Sequence, residues 1–238
     1  RYPGHGLYGL LGSGIVATSD LRKRAVFLVG TALFMTFGEE LTAGFCIFAF
    51  KLTSFAQMKD IIRLRDREFR VMIPAEEIDK AVAEVAARIN EDYAECDTPI
   101  FLGVLNGSFM FLSDLIKKID FTNEISFVKL ASYEGISSSG AIKDLIGLNT
   151  SIEGRHVIIV EDIVDTGYTM QSMLETLGTR EPASLEIASL FVKPARLKVP
   201  VDVKYSVFTI PDRFIVGFGL DYDHLGRNLP DIYDAAEE

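Results

Sequence analysis

Sulfur is scarce in this chain: its 238 residues include two cysteines, Cys46 and Cys96. That excludes a disulfide framework and a four-thiol metal site, and it fits a reducing, cytoplasmic setting. Histidine is as sparse, with His5, His156 and His224 scattered at no metal-ligand spacing. Positive charge is also short. A formal net charge of −10 argues against non-specific adhesion to nucleic acid or to an anionic membrane. It leaves an anionic small molecule open as a ligand, because a nest of backbone N–H groups can bind phosphate on an acidic protein. Apolar residues nevertheless make up 48% and charged residues 24%, the composition of a globular protein.

The charge is unevenly spread. Residues 1–57 hold five Lys/Arg against three acids, a net of +2, which leaves −12 for the rest. The segment opens Gly-rich, then Arg22-Lys23-Arg24 precedes an apolar or small run from Ala25 to Gly38. At 1.5 Å per residue such a run spans about 21 Å, short of the roughly 30 Å hydrocarbon core. Glu39-Glu40 separates it from a second run, Leu41 to Phe50, and carboxylates in mid-membrane are costly. Three readings stand: a secretory signal, a membrane anchor, or a segment that is no part of the working protein. The third is the expectation, with 1–57 an atypical extension and 58–238 the functional domain. Arg1 opens the chain, whereas Met58 stands where globular character begins.

From there, helix and buried strand alternate. Pro74 with Glu76 and Glu77 starts a helix, and Ile78, Val82, Val85, Ala86, Ile89 and Tyr93 recur at helical spacing. Pro99–Leu105 reads as a strand buried on both faces, Ser108–Ile119 as a helix and Glu124–Ser132 as a strand. Tyr133–Asn149, rich in Gly and Ser, reads as a loop. Val157–Val160 forms a β-branched strand core, followed by a helix from Tyr168 to Leu177. Leu185–Val192, Val201–Phe208 and Phe214–Leu220 complete the strands. This order predicts an α/β fold: a mostly parallel sheet with helices on both faces and its ligands beyond the carboxyl ends of the strands.

The most informative stretch runs from His156 to Thr169. An apolar strand delivers Glu161 and Asp162, and a short turn presents Asp165, Thr166, Gly167 and Thr169 at a helix start. Backbone N–H groups there, two hydroxyls and a glycine form a phosphate cradle. The two acids would repel phosphate, so they suit a ribose diol or a hydrated Mg²⁺. Taken alone, Asp165 could as well be a helix cap.

The string of two acids, two apolar residues, Asp-Thr-Gly, any residue and Thr resembles the phosphoribosyl pyrophosphate motif of the type I phosphoribosyltransferases. Further motifs, over roughly Met58 to Tyr233, are similar to the hypoxanthine-guanine phosphoribosyltransferases within that family. Val104-Leu105-Asn106-Gly107-Ser108 resembles a first loop whose backbone, through an unusual cis peptide, contacts pyrophosphate; Asn106 stands where many relatives carry Lys. Ser132-Tyr133 opens a stretch like the family's flexible loop. Phe191-Val192-Lys193-Pro194 resembles the segment that reads the base, with the Lys193 ammonium donating to a 6-oxo group. Pro211 to Tyr222 is similar to a segment in which Phe214 stacks on the purine, Ile215 presents backbone groups to it and Asp221 helps bind a metal.

The resemblance implies the type I phosphoribosyltransferase fold with a small hood for the base. It also implies purine salvage by an enzyme that uses Mg²⁺. Purine N9 attacks the anomeric carbon of phosphoribosyl pyrophosphate, through an oxocarbenium-like transition state, and pyrophosphate leaves. Asp165 is then the general base at purine N7. Phosphoribosyl pyrophosphate is bound by Glu161, Asp162, Asp165, Thr166, Gly167 and Thr169, by Leu105, Asn106 and Gly107, and by Arg227. The metal falls to Glu161, Asp162 and Asp221. No chemistry falls to Tyr168, and His224 is read as surface. The partners implied are small molecules, not nucleic acid or membrane, and the family's habit predicts a homodimer or homotetramer. A nucleic-acid-binding regulator on the same fold is the rival, disfavoured by the acidic charge and by Asp165 and Lys193. The expectation for the amino terminus is checked by intact mass of the protein from its own cells. It should begin at Met58, and any residue before that position would refute it.

Overall fold

The computed structural model describes residues 61–130 and 145–235. The chain divides into two units, Arg1–Lys59 and Asp60–Glu238, and every described residue belongs to the second. Ser132 and Tyr133 and most of the expected loop lie outside the described residues.

The core is a six-stranded sheet in the order β5-β4-β3-β6-β7-β8. Its strands are β3 (Ile100–Leu105), β4 (Glu124–Leu130), β5 (Leu145–Ile146), β6 (His156–Val164), β7 (Ser184–Val192) and β8 (Tyr205–Thr209). All neighbours pair parallel except β5, an antiparallel edge on β4. Alternation along the strands explains the unbroken apolar runs. Ile100, Leu102, Val157 and Ile159 join one buried cluster, whereas Phe101, Ile158 and Val160 join the other. Helix α3 (Tyr168–Gly178) covers the first face through Met170, Met173 and Leu177. Helices α1 (Ala75–Tyr93) and α2 (Phe109–Ile116) cover the second. A sheet with apolar side chains on both faces needs both layers, which is the α/β architecture expected.

A second sheet, antiparallel and four-stranded, has the order β1-β2-β10-β9. It comprises β1 (Ile61–Leu64), β2 (Arg67–Ile73), β9 (Ile215–Val216) and β10 (Ile232–Ala235). Phe69, Val216 and Tyr233 form its buried centre. This is the small hood, and three of its four strands escape a reading of the sequence. The expected strand Phe214–Leu220 is a correction: only Ile215 and Val216 are extended. Gly217 and Gly219 then take positive φ of 103° and 102°, and Gly217 bridges to Leu220 in a tight turn. Two further boundaries move. β6 runs on to Val164, because Ile163 and Val164 still pair with Phe191 and Val192. β8 starts at Tyr205, since Val201 and Val203 pack on the core from an irregular segment.

Pro74 is the N-cap of α1 and offers no side-chain cap. The Ala75 N–H instead donates to Asp231 Oδ1 at 2.7 Å, across 156 positions of sequence. Asp231 is buried and also accepts from the Tyr233 hydroxyl at 3.2 Å. One carboxylate therefore caps the first helix and ties it to the loop before β10. Asp231→Ala should cost about 1–3 kcal/mol, the range for a lost cap plus a stranded buried donor. Urea unfolding measures this, and an unchanged midpoint would show the cap to be idle.

Candidate active site at the ends of the central strands

β6 carries Glu161 and Asp162 into the edge of the core. Glu161 is buried, and its Oε2 has no hydrogen-bond partner. Burial, reinforced by the neighbouring Asp162 charge, pushes its carboxyl well above the ordinary range. Burial likewise raises Asp162 to about 6, against the opposing pull of the Ile163 N–H and the Arg227 charge. Asp162 Oδ1 accepts from that N–H at 2.8 Å.

Opposite these acids lies the loop after β3, where the Leu105–Asn106 peptide is cis. Gly107 follows, and a β-carbon there would coincide with the Asp162 carboxylate. On its other side, a β-carbon on Gly219 would collide with the Gly107 carbonyl oxygen. The absent side chains let two backbones and one carboxylate meet, the close approach for which glycine is suited. The segment after β9 is held by Arg227, which donates to the Gly219 carbonyl at 2.7 Å and pairs with Asp221 Oδ1 at 2.6 Å. Asp221 Oδ2 accepts the His224 backbone N–H at 2.8 Å, while the imidazole itself is 94% exposed. His224 is surface, as read, yet its main chain fixes Asp221. Leu105, Asn106, Gly107, Glu161, Asp162, Asp221 and Arg227 thus form one end of the site.

The other end is built on the turn after β6. Asp165, Thr166 and Gly167 lead into α3, with Gly167 as a left-handed N-cap and Thr169 in the first turn. The segment after β7 runs beside this turn. The Lys193 N–H donates to the Val164 carbonyl at 3.0 Å, and the Lys198 N–H to that of Thr166 at 2.9 Å. Between them a 3-10 turn, Pro194–Arg196, brings Arg196 Nε to Asp165 Oδ1 at 3.0 Å. Arg196 Nη1 also reaches Asp212 Oδ2 at 3.4 Å, and Asp212 Oδ1 lies 3.6 Å from Lys193 Nζ. Lys193 is buried, an unusual place for lysine. Two positions after Asp212, Phe214 is 46% exposed and stands edge-on to Tyr222, with ring centroids 5.7 Å apart. Ile215 is buried and paired with Asp234. Tyr168 is exposed.

The geometry therefore gathers an acidic end, a helix-start cradle, and an end with a buried ammonium and an exposed ring. Residues 74–223 match the phosphoribosyl transferase domain family. The chain belongs to the hypoxanthine phosphoribosyltransferase family. It is 46% identical over 162 residues to a hypoxanthine-guanine phosphoribosyltransferase of Staphylococcus epidermidis, covering 67% of this chain and 89% of that protein. A hypoxanthine phosphoribosyltransferase of Salmonella typhimurium is 43% identical over the same length, covering 67% and 91%. The crystal structure of a hypoxanthine phosphoribosyltransferase from Staphylococcus aureus is 43% identical. It superposes with a TM-score of 0.65, over 70% of this chain and 91% of that one. The family's fold is thus this chain's fold.

Arg196 and Asp212 have no place in the sequence reading. No local pattern marks them, since Arg196 meets Asp165 across 31 positions and Asp212 across 16.

The two buried acids predict a pH dependence. A carboxyl whose folded pKa is raised favours the folded state most below its unfolded pKa of about 4, and that contribution is lost as pH rises through about 6. Asp162→Asn should therefore stabilise the ligand-free protein at pH 7–8, on the order of 1–2 kcal/mol, and flatten its profile between about pH 4 and 7. Urea midpoints across that range test it; parallel profiles for the two proteins would contradict a burial cost at Asp162.

Proposed function

We propose that the chain transfers the phosphoribosyl group of phosphoribosyl pyrophosphate to N9 of hypoxanthine, and also of guanine, releasing pyrophosphate as a step of purine salvage. The observation that carries this reading is the pairing, at the ends of adjacent strands, of an acceptor and a donor. Asp165 can accept a proton from purine N7, while Lys193 can donate to the 6-oxo group. Adenine presents an amino group at that position and gives Lys193 nothing to bind. The exposed ring of Phe214 supports stacking on the base.

As purine N9 attacks the anomeric carbon, its bond to pyrophosphate oxygen breaks and N7 loses its proton to Asp165. Thr166, Gly167 and Thr169 offer the cradle for the 5-phosphate. The backbone of Leu105, Asn106 and Gly107, with Arg227, faces the departing pyrophosphate. Arg227 is engaged by Asp221 and Gly219, so it is pre-positioned rather than free.

Mg²⁺ fits this donor set in a particular way. Among the described residues no group of three His, Cys, Asp or Glu is placed to hold a metal alone. Mg²⁺ commonly uses one or two carboxylates together with substrate phosphates and waters. The unpartnered Glu161 oxygen and the raised Asp162 carboxyl are what two acids show when a cation is their missing counterpart. Glu161, Asp162 and Asp221 are the carboxylates from which one or two would hold it, directly or through water, together with the substrate phosphates; bound there, it would neutralise charge developing on pyrophosphate. Self-association is supported by Ile125 and Phe127, exposed on one face of β4. Among the described residues no helix is long and apolar enough to cross a membrane.

Protein supplied with Mg²⁺, phosphoribosyl pyrophosphate and a single base should form inosine and guanosine monophosphates and no adenosine monophosphate. Chelation of the metal should stop the reaction, and failure with every base would remove this reading. Asp165→Asn should lower kcat by about 10²–10⁴-fold, the usual worth of a general base, with phosphoribosyl pyrophosphate binding kept. Parallel loss of binding and turnover would make Asp165 structural.

A further inference from the structure

Asp165 needs more than its place in the turn to act on a ring nitrogen. A carboxylate on a short stem has two torsions, and its side chain is 38% exposed. The cap of α3 is Gly167, not Asp165, and the side-chain hydrogen bond that Asp165 makes is to Arg196. Arg196 supplies the missing constraint. Its turn is anchored to the strand that carries Asp165 by one backbone hydrogen bond on either side, Lys193 N–H to Val164 and Lys198 N–H to Thr166. The guanidinium is held from its far side by Asp212. Val199 and Val201 crowd the same turn: a β-carbon on Gly167 would lie only 3.0 Å from the Val201 side chain and 3.1 Å from that of Val199. The Arg196 side chain is 44% exposed and that of Asp212 55%, so these ion pairs contribute little to stability; what the anchored turn and the two contacts supply is direction.

Its contact with Asp165 is selective. Nε bonds to Oδ1 alone, at 3.0 Å, and Nη1 turns to Asp212. A bidentate fork would occupy both carboxylate oxygens; this geometry leaves Oδ2 for another proton donor. Asp212 in turn lies between Arg196 and the Lys193 ammonium. The group proposed for N7 and the group proposed for the 6-oxo atom are therefore linked through one arginine and one aspartate, and that linkage can set their spacing.

We propose that Arg196 is a positioning residue for Asp165: by occupying Oδ1 it orients the carboxylate so that Oδ2 meets purine N7, with Asp212 as its anchor. This rests on the reading of Asp165 as general base. Arg196 touches neither base nor pyrophosphate in this role, and its loss should act on the chemical step.

The test compares wild type with Arg196→Ala and Arg196→Lys in the nucleotide-forming assay, with KM for phosphoribosyl pyrophosphate and the thermal midpoint measured alongside. Arg196→Ala should lower kcat by about 10–100-fold, the scale of a misplaced catalytic group, while that KM stays within about 2-fold. Arg196→Lys, which keeps the charge but loses the fixed Nε direction, should fall between. Sub-denaturing guanidinium should restore part of the kcat of Arg196→Ala and none to wild type. Unchanged kcat in Arg196→Ala, beside an active wild type, would overturn the positioning role. So would a parallel fall in kcat, substrate binding and thermal midpoint, which would make Arg196 a structural strut of the turn. A wild type inactive with every base would instead remove the general-base reading on which the proposal rests.

Discussion

The contact between the Asp162 carboxylate and Gly107 is the constraint around which the rest of the site is arranged. Asp162 leaves the core on β6, Gly107 leaves it on β3, and these are neighbouring parallel strands. Parallel pairing brings their carboxyl ends to the same edge of the sheet, and the missing β-carbon lets the acid lie against the loop backbone. Gly219 then closes from the other side, so the segment bearing Asp221 and Arg227 is placed by contact with Gly107. Three stretches of chain, far apart in sequence, are registered through one residue that has no side chain. Larger residues at either glycine would push the acid or the third segment away.

Much of this was legible from local pattern. β3 and the apolar part of β6 read as buried strands because both faces of a central parallel strand are covered. The string from Glu161 to Thr169 marked a strand-turn-helix cradle because carboxylates, hydroxyls and a glycine seldom follow a buried strand by accident. The second sheet was not legible. β1 and β2 are joined through Arg65 and Asp66, with Arg65 at a φ of 55°, so the turn lacks the Asn-Gly or Asp-Gly sign of a hairpin. The other partner of β2, β10, comes from the far end of the described chain. The Asp231 cap of α1 is hidden for the same reason, since no local rule connects positions 156 residues apart. Lys193 was legible only through resemblance; by itself it reads as a solvated lysine, and its burial is a tertiary fact.

The two ends of the candidate site treat charge in opposite ways, and each way suits the ligand proposed for that end. At the base end every charge is already answered: Asp165 by Arg196, Arg196 also by Asp212, and Asp212 by Lys193. A neutral purine brings no charge with it, so the groups that meet it must be balanced beforehand, or they would be left exposed to water or unpaired under the base. Such a network gives direction to hydrogen bonds without a net field. At the other end Glu161 and Asp162 stand side by side, one of them with a buried unpartnered oxygen. On the proposed reading, the isolated protein bears that burial cost because the acids' partner is a cation that arrives with the substrate. A polyanionic ligand accompanied by a cation brings both the charge the acids lack and the phosphates the backbone loop can bind. Balanced charge where the ligand is neutral, and unbalanced charge where it arrives with its own counter-ion, is the electrostatic division a site needs when it must hold both a nucleobase and a pyrophosphate.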